Sequence, residues 1–279
     1  MTARTDRFGS FDLGHSGQAF RAAAEQDRAA LIGYLTLGYP DVATSLDAFR
    51  TLATGCDLIE IGLPYSDPVM DGPTVQRSGT RALARGTRTR DLFGALEAIG
   101  ETGTPAVVMT YWNLVEQYGV ERFAADLAAA GGAGLITPDL TPDEAEDWFA
   151  ASDKHDLDRI FLVSPSSTDQ RIGSTVDACR GWLYATSVMG VTGARAETSS
   201  AAPELVARIR AQRDVAVGIG LGVSNGAQAA EIGAFADGVI VGSALVRTLL
   251  AAEEAGTPQD LTDLRALVED LAAGVRGGQ

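Results

Sequence analysis

The chain has 279 residues, 46% of them hydrophobic, and a formal net charge of −15; that length suits one (β/α) barrel of about 250 residues or two small domains. The negative balance argues against nucleic acid and anionic membranes as partners, and no stretch is long and apolar enough to span a bilayer. The arginines of the first residues have no apolar run behind them, so no signal peptide is read there. Cys56 and Cys179 fit a reducing compartment as buried small hydrophobes, which makes the cytoplasm the expected location. Lys154 is the only lysine, and His15 and His155 are the only histidines. A Schiff-base mechanism would have to use Lys154, and a histidine-ligated metal site is nearly excluded.

In chain order, residues 1–16 read as a loose polar segment, and residues 17–279 as one barrel domain. Phe20, Ala23, Ala24 and Ala30 set a short helix before the first strand, which lies within 30–40. Residues 41–55 carry Val42, Leu46, Phe49, Leu52 and Ala53 at helical spacing, with Gly55 as the stop. The second strand starts near Asp57, and residues 88–103 form the next helix. Strands then fall within 106–113, 133–140, 159–165, 181–189, 215–224 and 237–246. Helices fall within 120–132, 141–152, 167–179, 203–212 and 225–235, then from Ser243, and finally over 261–275, where Leu261, Leu264, Leu267 and Leu271 form a stripe. Thr141 is the expected cap of its helix, with Pro142 in the first turn. Eight strands, each followed by a helix, require a parallel sheet. Eight such units close into a single-domain (β/α)8 TIM barrel with an extra N-terminal helix.

Chemistry in such a barrel sits at the C-terminal ends of the strands. Lys154 and His155 precede the strand near Arg159 and so belong to the opposite face. The informative stretch is DLIEIGLPYSDPVMDGPTVQ, residues 57–76. Leu58, Ile59, Ile61 and Leu63 read as a buried strand, and Glu60 interrupts them. A buried glutamate costs several kcal/mol or so unless it is paired or functional. The loop behind it carries Asp71 and is stiffened by Pro64 and Pro68. Glu60 and Asp71 are therefore the candidate acid–base pair.

Two glycine-rich loops, 218–226 and 241–246, close the barrel. Glycines in one loop could merely relieve crowding, but two adjacent loops with a helix starting at Ser243 favour a bound phosphate. Neither a dinucleotide fingerprint nor a Walker motif is present. The loop 190–201 is long and rich in small polar residues, which fits a closing lid and a plain surface loop about equally. Tyr34, Met109, Tyr111 and Tyr184 stand near strand ends and together could wall a flat apolar group. Asp139, which ends the fourth strand, is read as structural.

EIGLPYSDPVMDGPTVQ resembles the signature of the tryptophan synthase alpha subunit family. GYLTLGYPD, MTYWNL, GVTGAR, GLGVS and VGSALV match that family in the same order, from about Leu31 to Leu250. The resemblance implies a (β/α) barrel that cleaves indole-3-glycerol phosphate to indole and glyceraldehyde 3-phosphate, with no metal or organic cofactor. It places the catalytic carboxylates on Glu60 and Asp71 and the lid threonine and glycine on Thr192 and Gly193. The phosphate contacts fall on Gly222, Gly242 and Ser243, and the indole side on Tyr34, Met109, Tyr111 and Tyr184. It also implies a partner, the pyridoxal phosphate-dependent tryptophan synthase beta subunit, in an alpha2beta2 hetero-oligomer docked on the catalytic face. The sequence departs from the family at Tyr34, where some members have phenylalanine, at VMDGP, where LADGP is frequent, and at Val188, where some members have arginine. Three alternatives remain. One is a stand-alone lyase; another is a phosphosugar isomerase or epimerase, which would want a histidine, lysine or metal at the strand ends. The third, a non-catalytic regulatory subunit, has no need of both carboxylates.

Overall fold

The computed structural model describes residues 4–186 and 201–277. Its strands are β1 (Ala30–Thr36), β2 (Leu58–Gly62), β3 (Ala106–Met109), β4 (Gly134–Ile136), β5 (Asp158–Ile160), β6 (Leu162–Val163), β7 (Leu183–Thr186), β8 (Val217–Gly220) and β9 (Gly238–Val241). They form one sheet in the order β5-β4-β3-β2-β1-β9-β8-β7-β6, and neighbouring strands pair parallel. Only Phe161 separates β5 from β6, so the two ends of the sheet meet in one interrupted strand. The eight expected strands thus make a (β/α)8 barrel.

Side chains on a strand alternate between two faces, and the barrel uses both. Ile32, Leu58, Val107, Ile136, Ile160, Trp182 and Ile240 fill its interior. Leu31, Ile59, Ile61, Val108 and Leu135 face outward and pack with the helical layer. The interior needs a floor, and the N-terminal segment supplies it. Phe20, on helix α1 (Gln18–Glu25), enters from below with its ring centroid 5.3 Å from that of Trp182. The stretch before α1 is not loose over its described residues. Residues Arg4–Phe8 form a 3-10 turn, and Phe8 and Leu13 are both buried within the same cluster as Phe20. Arg4 donates to the Gly233 carbonyl at 2.7 Å, and Arg7 pairs with Asp237 at 3.1 Å. The buried Asp158 carboxylate accepts from the His15 and Ser16 amides and the Ser16 hydroxyl. Sealing the barrel floor explains why so polar a stretch is ordered.

Two helices escaped the reading of the sequence. Residues Pro73–Ala84 form α3, whose buried positions are Ser78, Gly79 and Ala82, too small to give an apolar period. Residues Trp112–Tyr118 form α5, where the third strand was expected to continue to Asn113. The expected helix 141–152 begins instead as a 3-10 turn, Pro142–Glu144, and continues as α7 (Glu146–Lys154). The Thr141 hydroxyl bonds the Glu144 carboxylate at 3.2 Å and makes no backbone cap. Lys154 ends α7, exposed and ion-paired with Glu121, well away from the strand C-termini. Cys56 and Cys179 are buried free thiols. Among the described residues no helix is long and apolar enough to cross a membrane.

Candidate active site

The alternation that puts Leu58 inside the barrel puts Glu60 there too, one pleat nearer the C-terminal mouth. Glu60 stands beside Tyr34 of β1 in the strand register and is 1% exposed. Its Oε2 has no hydrogen-bond partner. Burial, and then the charge of Asp71, push its carboxyl up to about 8. Such a group holds a proton near neutrality and can both give and take one.

Asp71 comes from the β2–α3 loop, which Tyr111 and Gln76 hold. The Tyr111 hydroxyl donates to the Asp71 carboxylate at 3.3 Å and accepts from the Met70 amide at 2.9 Å. Gln76, in the first turn of α3, donates to the Asp71 and Pro68 carbonyls. Tyr65 stacks on Tyr111 with centroids 5.0 Å apart. Burial raises the Asp71 pKa, while the Tyr111 hydrogen bond opposes that rise. Tyr111 thus spends its hydroxyl on the loop and stands behind Asp71. Asp139 accepts from the Trp112 amide at 2.9 Å, so it caps α5 in the preceding unit, a structural role as expected.

Glu60 and Asp71 look into one pocket at the C-terminal mouth, walled by Tyr34, Met109 and Tyr184. The pocket is open at its entrance and has a cavity volume of about 140 Å³. Burial foremost, with the carboxylates adding to it, holds the Tyr34 and Tyr184 phenols protonated. Gly222, Gly242 and Ser243 also line the pocket, and helix α11 (Ser243–Glu254) starts directly after Gly242. Gly222 adopts φ +68°, which a side chain would strain. The first-turn amides of α11 have no carbonyl acceptor within the helix, an arrangement suited to an anion.

Of the residues expected from the sequence, Tyr34, Glu60, Asp71, Met109, Tyr184, Gly222, Gly242 and Ser243 line this one pocket. Thr192, Gly193 and Val188, with the expected lid up to Ser200, lie outside the described residues. Val75, Leu221, Ile240 and Arg247 also line it and were not foreseen. Arg247 carried a usable signal, for it lies four residues after Ser243 and so on the same helix face. Among the described residues no cluster of histidine, cysteine or carboxylate side chains is placed to hold a metal ion.

A (β/α)8 barrel with a protonated carboxylic acid, a second carboxylate, an aromatic wall and an anion corner has the make-up of an acid–base enzyme for a phosphorylated aromatic compound. The tryptophan synthase alpha chain family model matches residues 20–276. The Mycobacterium avium tryptophan synthase alpha chain is 61% identical over 261 residues, covering 93% of this chain and 94% of its own. That of Nocardia farcinica is 59% identical over 258 residues, covering 92% and 94%. A Mycobacterium tuberculosis tryptophan synthase structure superposes with TM-score 0.87 at 58% identity, covering 95% of this chain and 99% of that one. A Pyrococcus furiosus alpha-subunit structure does so with TM-score 0.79 at 32% identity, covering 88% and 98%. The chain belongs to the tryptophan synthase alpha chain family, carbon–carbon lyases of tryptophan biosynthesis.

Proposed function

We propose that this protein cleaves indole-3-glycerol phosphate in the cytoplasm with Glu60 as the proton-transfer group and Asp71 as the charge stabiliser. The observation that carries the assignment is the buried Glu60 carboxyl, whose Oε2 has no hydrogen-bond partner and which burial and then the Asp71 charge raise to about 8. The protonated Glu60 gives its proton to indole C3, which leaves the ring as a cation with its charge on N1. Asp71 accepts the N1–H hydrogen bond and stabilises that charge. The Glu60 carboxylate then takes the C3′ hydroxyl proton as the C3–C3′ bond breaks. The bond pair returns to the ring, releasing indole and the aldehyde of glyceraldehyde 3-phosphate, and Glu60 is protonated again. Tyr34, Met109 and Tyr184 bracket the indole, and Gly222, Gly242 and Ser243 receive the phosphate. Indole release from indole-3-glycerol phosphate by the purified chain is the test, and a folded protein that releases none would overturn the reading.

Tyr111 tunes Asp71 in this scheme. Tyr111→Phe removes the hydrogen bond that lowers the Asp71 pKa, so the acid limb of the kcat/KM profile should move to higher pH. Because the acceptor is a carboxylate, the lost hydrogen bond is worth about 1.5–3 kcal/mol, which predicts a roughly 10- to 100-fold lower kcat/KM on the acid limb. An unmoved acid limb would detach Tyr111 from Asp71.

The partner in this reading is the tryptophan synthase beta subunit. Val69 and Met70, next to Asp71, are 77% and 50% exposed, an apolar tip on the loop that holds the charge stabiliser. A partner covering that tip would press on Asp71 directly and so couple docking to turnover. Size-exclusion co-elution with a beta subunit should be accompanied by faster indole formation. No co-elution, with activity unchanged, would leave a stand-alone lyase.

A further inference from the structure

The pocket places a phosphate ester in an electrically awkward spot. The chain carries a net charge of −15, and two carboxyl groups, Glu60 and Asp71, line the same space. Peptide amides and a helix start supply only partial charge, against a ligand that brings close to two full negative charges. A cation in reach would offset this, and the pocket contains one.

Arg247 lines the pocket with Gly242 and Ser243. It lies one turn into α11, and helical side chains lean back towards the N-terminus, so its guanidinium reaches over the turn that opens at Ser243. Nearby arginines are otherwise engaged: Arg77 pairs with Glu254, and Arg81 and Arg85 pair with Glu253. Among the described residues, no hydrogen bond or ion pair engages Arg247. An arginine left free beside exposed helix-start amides is preorganised for an anion, because its planar fork matches phosphate oxygens in pairs. The unpartnered Glu60 oxygen in the same pocket independently marks the space as one that a ligand completes.

We propose that Arg247 is the cationic contact for the phosphate group and sets the preference of this pocket for dianionic over uncharged ligands. The inference rests on the phosphate corner proposed above. In it Arg247 is a binding residue, remote from the proton transfers at Glu60.

The test compares Arg247→Gln and Arg247→Lys with the wild-type chain. Both replacements suit an exposed helical position. Calorimetric titration with inorganic phosphate and with glycerol 3-phosphate is run beside titration with indole. Arg247→Gln should weaken both phosphate ligands about 10- to 100-fold and raise KM for indole-3-glycerol phosphate similarly. Its kcat should stay within a few-fold and its indole affinity should not change. The dependence of KM on salt should flatten, and Arg247→Lys should recover much of the loss. Wild-type phosphate affinity retained in Arg247→Gln would overturn the role of Arg247 while leaving the corner intact. Failure of the wild-type chain to bind either phosphate ligand would overturn the corner itself, and this inference with it.

Discussion

Glu60→Gln is expected to lower kcat by about 100- to 10,000-fold, the range that general acid–base catalysis supplies, while KM for indole-3-glycerol phosphate changes little. Glutamine keeps the volume and shape of the side chain, and it meets the same surroundings, in which Oε2 already lacks a partner. What it loses is the transferable proton. Pre-steady-state binding followed by single-turnover kinetics separates the two effects. A kcat within a few-fold of wild type would remove Glu60 from the chemistry.

The same substitution has a pH signature in stability. The Glu60 carboxyl has a reference value of 4.5 and is raised to about 8 in the folded chain. Between those values the native state holds a proton that the unfolded chain has released, so stability falls as pH rises. The contribution is complete below about pH 4.5 and is lost as pH passes about 8, a difference of roughly 3–5 kcal/mol. Urea unfolding of wild type and Glu60→Gln at pH 5 and pH 9 isolates it, because other groups titrate alike in both. Wild type should lose more stability than the variant on going to pH 9. Parallel behaviour of the two chains would mean that the Glu60 pKa is ordinary.

The sequence made the barrel legible through repetition, with eight apolar runs each followed by an amphipathic one. Glu60 was legible because a carboxylate inside an apolar strand is costly and so demands a reason. The parts that stayed hidden share a physical cause, the absence of a large apolar side chain. Helix α3 buries serine, glycine and alanine, and a hydrophobic period cannot report such a face. The ordering of residues 4–16 depends on Asp158, more than a hundred residues away in sequence, which accepts the His15 and Ser16 amides. Tyr111 was seen as part of the pocket wall, but its bond to Asp71 joins two different βα units. Arg247 lies inside a helix, where an arginine by itself reads as a solvated surface residue until the fold sets it beside the pocket.

Asp71→Asn is the second large effect, and it distinguishes charge stabilisation from simple binding. An amide still accepts a hydrogen bond from the indole N–H, so substrate affinity should fall only modestly. It cannot balance the positive charge that builds on the ring as C3 is protonated, and kcat should drop about 100- to 1,000-fold, as when a preorganised stabilising group is removed. The change should also reach Glu60. The Asp71 charge is one of the two causes that raise the Glu60 pKa, so its removal makes Glu60 more acidic. The alkaline limb of the residual kcat/KM profile, which marks loss of the Glu60 proton, should therefore move to lower pH. A plain binding residue would produce neither result. If Asp71→Asn kept wild-type kcat and raised only KM, with the alkaline limb in place, Asp71 would be a substrate contact electrically independent of Glu60.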